Sequence, residues 1–548
     1  MEAFPVAIQV DAAALGASTS AASTNIAELP PIWRFFGCDE PNYAYMPDGS
    51  RLLATLGSLG DAQVYFRTHN LLTSGDGTPA LKWGSTNAYS EGADGRPVYD
   101  WQLVDRIFDA YLERRVKPYV QVGFMPRDLS RKPEPYQHHW SPFDAYSSIL
   151  GGWAHPPKDW DKWHALVREW VLHALERYGQ AEVESWYWEP WNEANILYWQ
   201  GSPAEYHQLY DYTIDAIRSA LPTARVGGPD SAGADQWLRD FLEHCLRGKN
   251  YRNGARGAPL DFVAFHAKGK PEYVDGHVRM GIAQHLRTID DGFGIVASFP
   301  ELAGVPVIIG ESDPEGCAAC QGPALGYRNG SMYSSYTAAS FARKLDLAER
   351  HGVRLEGALT WAFEFENQPW FAGFRALASN GVALPVLNVF RMLAQLRGVR
   401  LPVQSSGAVP LERMLSAGVR EAPDVHALAS GGPDGIQILV WHYHDADVAG
   451  PAANIRLSVA GAAFRARPEL RHFRVDAEHS NAYTAWLRLG SPAQPSAPER
   501  ELLERASQLA QLEVAPEQLR WHADGLELEL TLPRQGVSLL RLPPVTPI

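Results

Sequence analysis

Cysteine is scarce in this chain: four residues, Cys38, Cys245, Cys317 and Cys320, in 548, too few for a disulfide scaffold. Cys317 and Cys320 form a C-x-x-C in "ESDPEGCAACQG", but no second ligand pair follows at metal-site spacing. They are read as two thiols in a loop rather than as zinc or redox cysteines, and the His138–His139 pair is read as structural in the same way. Long apolar runs are missing as well. No stretch reaches 18 uncharged apolar residues, and residues 1–30 lack the basic start and apolar segment of a signal peptide, so neither a membrane span nor a leader is expected and the cytoplasm is the expected compartment. Clusters of basic residues are absent too. With a formal net charge of −14, the surface repels phosphate, and nucleic acid is not an expected partner.

What is plentiful is aromatic: 18 Trp, 22 Tyr and 20 Phe. Most serve core packing, but flat rings also stack on sugars or bases. Hydrophobic residues at 45% and charged residues at 20% are ordinary for a globular chain. The length suits a large parallel barrel, which takes about 250 residues and more with insertions, plus a smaller unit.

From residue 32 to about 398, short apolar runs alternate with helical patterns, as in a parallel sheet with crossover helices. Eight runs are counted: "IWRFFGC" from Ile32, "QVYFRTH" from Gln63, "KPYVQVGFMP" from Lys117, "SWYWEPWNE" from Ser185, "ARVGGPDSA" from Ala224, "DFVAFHAKG" from Asp261, "VPVIIGESD" from Val305 and "GALTWAFEFE" from Gly357. Between them, stretches such as "DKWHALVREWVLHALERYG" repeat apolar residues at three and four and end on Gly or Pro. Eight such units close into a (β/α)8 barrel over residues 16–398, whose strand ends share one mouth. Beyond residue 399 short alternating segments separated by turns predict an antiparallel β-sandwich to residue 548, interrupted by one helical insert, "SAPERELLERASQLAQL". Residues 1–15 alternate as well and are expected to add a strand to that second domain.

Polar residues collect at the strand ends: Arg67, His69, Asn192, Glu193, His266, Glu311, Glu364 and Glu366. Two glutamates on different strands can face each other across the mouth, which is what glycoside hydrolysis needs. One carboxyl is protonated to assist the leaving oxygen, and the other is ionised to attack the anomeric carbon. An ionised acid also disfavours ionisation of its neighbour. Glu193, at the end of its run, is the candidate acid/base. Glu189, a turn deeper and followed by Pro190, is read as structural. Glu311 ends a buried run and is the candidate nucleophile, ahead of the loop residue Glu315. The competing role for either is a barrel-end salt bridge to Arg67 or another cation. Arg67 and His69 are expected to fix the nucleophile, Asn192 to bond the sugar hydroxyl beside the reacting carbon, and Trp361 to floor the subsite. No spacing calls for a metal or an organic cofactor, and none is expected.

The set "YFRTHNLL", "WNEA", "FHAKG", "VIIGESDPEGCAAC" and "ALTWAFEFE", with "HSNAYTAWLRLGSP" in the second domain, resembles glycoside hydrolase family 39 and, within it, the bacterial β-xylosidases. The resemblance implies a retaining hydrolase on a clan A barrel with a β-sandwich. Glu193 would be its acid/base and Glu311 its nucleophile. His69, Asn192, His266 and Trp361 match positions that line the subsite for the non-reducing sugar, and Glu364 and Glu366 fall where the family's glutamates bind distal hydroxyls. Two departures stand out. Ala194 replaces the proline of Trp-Asn-Glu-Pro, which loosens a restriction on Glu193, and "SDPEGCAAC" differs from the shorter loop of thermophilic members.

The expected activity is exo-hydrolysis of a xylo-oligosaccharide or related neutral glycan, by a chain more easily pictured as a monomer. An α-L-arabinosidase or another exo-glycosidase on the same barrel is the alternative, since small pocket changes shift sugar preference by only a few kcal/mol. A non-catalytic carbohydrate-binding protein would need the aromatics but not both acids. The related iduronidases act on acidic sugars and would want further basic residues in the pocket, which the sequence does not locate.

Overall fold

The computed structural model describes residues 2–13, 15, 28–462 and 470–544. Eight strands form one parallel sheet: β1 Phe35–Cys38, β2 Val64–Thr68, β3 Val116–Val122, β4 Tyr187–Pro190, β5 Arg225–Ser231, β6 Phe262–Lys268, β7 Val307–Asp313 and β8 Leu355–Ala358. Seven of the eight runs supply most of a strand, while the eighth overlaps β8 only at Gly357 and Ala358. The circle closes just past β8, where the Thr360 amide donates to the Phe35 carbonyl and the Gly37 amide to the Thr360 carbonyl. A helix follows every strand, from Pro47–Leu56 after β1 to Pro385–Leu393 after β8. Trp160–Tyr178 shows how the ends are set. It starts where the Asp159 carboxylate accepts from the amides of Asp161 and Lys162, and it stops at Gly179 with φ +82.

Alternate side chains of each strand point into the barrel. Phe35, Tyr65, Tyr119, Tyr187, Phe262 and Ile308 pack as one buried cluster, with Tyr65 stacked on Phe35 at 5.3 Å and edge-on to Tyr187 at 4.9 Å. Two residues beyond Tyr65 and Tyr187 come Arg67 and Glu189. A polar layer therefore rests on an aromatic floor.

The second unit is two sheets face to face. Val403–Ser405, Phe4–Asp11, Ala453–Ala460, Gly525–Leu532 and Leu519–His522 form one; Val399–Leu401, Asp424–Gly432, Gly435–Tyr443, Val537–Leu542, Arg471–Val475 and Ala510–Leu512 form the other. Every described pair is antiparallel but one, a departure from the expected pattern: Phe4–Asp11 runs parallel to Ala453–Ala460 and antiparallel to Val403–Ser405. A strand arriving from the far end of the chain has no hairpin to dictate its direction. Its Val6, Ile8 and Val10 enter the core between the sheets. The helical insert is Ala497–Ala506, with Ser496 and Glu499 as a reciprocal cap. The expected start of the barrel domain, residue 16, lies outside the described residues.

The six-stranded sheet docks on the barrel through Asp424, which accepts from the Trp441 indole at 2.8 Å and from Arg343 of the helix Ser331–His351 at 3.1 Å. Cys317 and Cys320 are joined in a disulfide, which corrects the reading of two loop thiols. The turn after β7 brings their Cα atoms to 5.4 Å, within bridging distance. Among the described residues no helix is long and apolar enough to cross a membrane.

Candidate active site

Irregular backbone at the C-terminal strand ends aims the polar groups. After β4 the chain turns through Trp191 at φ +72 and Glu193 at φ +45, left-handed conformations that cost such residues about 1–3 kcal/mol each. Hydrogen bonds offset that cost: the Trp191 amide donates to the Val122 carbonyl at 3.0 Å, the Glu193 amide to the Asp230 carbonyl at 2.9 Å, and the Trp191 indole to the Tyr198 carbonyl at 2.9 Å. Glu193 is thus fixed without a proline at 194. β5 and β7 each bulge against β6, between Pro229 and Ser231 and between Ile309 and Glu311. The bulged residues meet. A Cβ on Gly310 would lie 1.8 Å from an Asp230 carboxylate oxygen, so only glycine leaves room for that acid to turn inward.

Glu311 leaves β7 opposite His266 of β6. One carboxylate oxygen of Glu193, one of Glu311 and a ring nitrogen of His266 lie within 4.8 Å of one another. Around Glu311 stand Lys268 Nζ at 2.5 Å, Arg67 Nη1 at 3.3 Å, His69 Nε2 at 3.6 Å and His266 Nδ1 at 3.8 Å. Burial alone would raise its pKa, but Lys268, His266, His69 and Arg67 outweigh burial and hold it at about 2. Glu311 is therefore ionised at neutral pH.

The Glu193 side chain is 12% exposed and accepts from His266 Nδ1 at 2.8 Å. Burial would lower the His266 pKa, yet Glu311, Asp230 and Glu193 raise it to about 9. The imidazolium presents an N–H to Glu193 and its other nitrogen to Asp230 at 3.3 Å. Glu193, His266 and Glu311 have the spacing of a metal triad, but a metal ligand must be deprotonated. His266 Nδ1 already faces Glu193, and Lys268 and Arg67 already face Glu311.

Arg67 is fully buried beneath the pair. It bonds Glu189 through Nε, lies 3.2 Å from Asp230 Oδ2, donates to Asn192 Oδ1 at 3.0 Å, and sits 5.2 Å from the Trp361 ring. It positions Glu311 and Asn192 from below rather than lining the pocket surface. Glu189 also accepts from the Tyr119 hydroxyl at 2.7 Å. Burial, with Asp230's charge, pushes the Glu189 carboxyl well up. For Asp230 burial acts the same way, but Arg67 overrides it and holds the acid well below the usual range.

Seven of the nine residues singled out in the sequence converge here: Glu193, Glu311, Arg67, His69, Asn192, His266 and Trp361, whose ring lies 4.4 Å from that of His69. Glu364 and Glu366 are held by backbone amides. Glu366 accepts from the amides of Asp48 and Gly49 at 2.8 Å, in the first turn of Pro47–Leu56, and Glu364 accepts from the Gly381 amide at 2.7 Å. Burial raises Glu364 to about 8. Sequence reasoning missed Lys268, Asp230, Asp39 and Lys82. Lys268 is the basic pocket residue that went unlocated; lying two residues past His266 on one strand, it shares that residue's face, and the period-2 rule marks it.

The family model for glycosyl hydrolases family 39 matches residues 31–519. A β-xylosidase of Geobacillus stearothermophilus is 37% identical over 175 residues, 31% of each chain. An α-L-iduronidase of Mus musculus is 23% identical over 426 residues, 73% of this chain and 62% of that enzyme. Both matches span less than two thirds of the relative. In fold, the chain resembles the crystal structure of a monomeric β-xylosidase from Caulobacter crescentus CB15, with a TM-score of 0.71 and 21% identity over 98% of this chain and 100% of that one. A family match that runs from ahead of β1 into the sandwich, on a barrel with two facing acids, means that the chain belongs to glycosyl hydrolases family 39 and is a glycosidase that hydrolyses O-glycosyl bonds.

Proposed function

We propose that the protein is an exo-acting, retaining β-xylosidase that releases xylose from the non-reducing ends of xylo-oligosaccharides. The observation that carries this reading is the Glu193–Glu311 spacing, with oxygens within 4.8 Å. A gap of about 5 Å leaves no room for a water between the acids and makes the second one the nucleophile. Glu311, ionised above about pH 2, attacks the anomeric carbon and forms a glycosyl ester as the leaving oxygen departs. Glu193, the more open acid, gives that oxygen its proton and then takes one from the water that cleaves the ester. Asn192, held by Arg67 at 3.0 Å, bonds the hydroxyl beside the reacting carbon, a contact that strengthens as positive charge develops. Choice of xylose is supported by the β-xylosidase relative. Aryl β-xyloside hydrolysis followed by NMR tests the reading: the first-formed sugar is expected to keep the β configuration, and inversion, or no turnover of any aryl glycoside, overturns it.

Lys268 favours a second reading. Its side chain is 17% exposed beside the nucleophile, where a cation suits a sugar carboxylate, and the Mus musculus relative is an α-L-iduronidase. Yet its ammonium already faces Glu311 at 2.5 Å and Asp313 at 3.3 Å, which leaves the neutral sugar preferred. The ratio of kcat/KM for aryl α-L-iduronide to aryl β-xyloside decides between them.

A further inference from the structure

His69 also lines a narrow cavity whose other walls include Asp39, Lys82, Trp83, Phe124, His138 and Tyr198. Asp39 gives one carboxylate oxygen to His69 Nδ1 at 2.9 Å and the other to Lys82 Nζ at 2.9 Å. The Lys82 side chain is 4% exposed, and burying an ion pair is costly even when it is well matched. The backbone at Lys82 adds to that cost, with φ +55, while the Glu40 carboxylate clamps its amide at 2.7 Å. The ammonium lies 5.4 Å from the Tyr146 ring and 5.7 Å from that of Trp140. Tyr146 and Tyr198, joined through their hydroxyls, are both within electrostatic reach of Glu193. His69 therefore links Glu311 to the Asp39–Lys82 pair.

The cavity holds unspent hydrogen-bonding capacity. Of the three N–H groups of Lys82, Asp39 takes one. His138 is 8% exposed, and neither ring nitrogen has a side-chain partner. Burial and the Lys82 charge push its pKa down to about 4, against the pull of a contact with the Lys82 backbone, so the ring is neutral, with one lone pair left to accept. Buried polar groups are normally satisfied. Donors and an acceptor left over at the closed end of a sugar pocket match ring hydroxyls. Resting on the glycosidase reading above, we propose that Lys82, Asp39 and His138 grip the two glycone hydroxyls farthest from the reacting carbon, on C3 and C4. Trp83 and Trp153, whose rings lie 5.0 and 6.1 Å from that of His138, close the pocket behind them and confine the enzyme to chain ends.

A cycle between enzyme and substrate tests this. kcat/KM is measured for the aryl glycoside that the wild type hydrolyses best and for its 3-deoxy and 4-deoxy analogues, with the wild type, Lys82→Met and His138→Ala. The wild type is expected to lose about tenfold or more on at least one analogue, because an unpaired buried group is left behind. The variant lacking that hydroxyl's partner is expected to lose less than about threefold on the same analogue. The inference is overturned if the wild type is indifferent to both hydroxyls, or if both variants keep the full wild-type penalty. Thermal melts monitor folding, and if Lys82→Met does not fold, His138→Ala and the wild-type penalty decide. Should the best substrate prove not to be a β-xyloside, the sugar assignment fails, while the cycle on the true substrate still reports on the cavity.

Discussion

Lys268 Nζ lies 2.5 Å from Glu311 Oε2 and 3.3 Å from Asp313 Oδ2, so the cation that holds Glu311 ionised comes from the neighbouring strand. Lys268 and Asp313 are register partners, and the arrangement follows from sheet pairing alone. Lys268→Met removes the strongest of the charges that lower the Glu311 pKa. The acid limb of kcat/KM is expected to move to higher pH by about one pH unit or more. A pH profile on a substrate with a good leaving group reads this limb; one that stays in place contradicts the role given to Lys268.

The two acids separate by leaving group. Glu311→Ala is expected to reduce turnover to background on every substrate. Glu193→Ala is expected to lose about 10²–10⁴-fold on alkyl or sugar leaving groups and far less on dinitrophenolate, which needs no proton. Added azide is expected to restore the second variant and to give a β-glycosyl azide. Equal loss on good and poor leaving groups, with no azide product, contradicts the assignment.

His266 links pH to stability. Its folded pKa is about 9, against about 6.5 for a free imidazole. The folded state thus holds the proton more tightly, and the stabilisation is complete below about pH 6.5 and lost as pH rises through 9. The wild-type Tm is expected to fall between pH 7 and 10, and His266→Gln to flatten that fall. Parallel Tm curves for the two proteins are the contrary result.

Gly310→Ala forces a Cβ against the Asp230 carboxylate, whose nearest oxygen is only 1.8 Å from that position. A loss of about 1–3 kcal/mol is expected, with a fall in activity as Asp230 is displaced from Arg67 and His266. Urea unfolding measures the first and kcat/KM the second. A variant with wild-type stability rules out the close approach.

The barrel was legible because its period is strong: eight apolar runs, each followed by a helix that repeats at three and four. The site was legible where chemistry sits on regular strand. Arg67 and His69 are two apart on one strand and its end, and both point inward, as do His266 and Lys268. Asp230 escaped notice because it occupies a bulge, and a bulge breaks the alternation that would reveal it. Lys82 and His138 lie in loops after β2 and β3, placed by Glu40, Asp39 and Trp83 from elsewhere in the chain, so no local pattern marks them. Glu364 and Glu366 were read as the end of an inward-facing strand. The regular pairing of β8 stops at Ala358 and the barrel closes at Thr360, and beyond that the chain carries both acids to backbone amides at Gly381 and at Pro47–Leu56.

Phe4–Asp11 pairs with Val403–Ser405 and Ala453–Ala460, which are synthesised about 400 to 450 residues later, and such distant pairing is slow. Until then Val6, Ile8 and Val10 have no sheet to enter, and an unpaired apolar strand invites foreign neighbours. Segments about 400 residues apart are stitched into one sheet. Deleting the sandwich at a single cut after residue 398 therefore orphans this strand, and a free-standing barrel requires trimming at both ends.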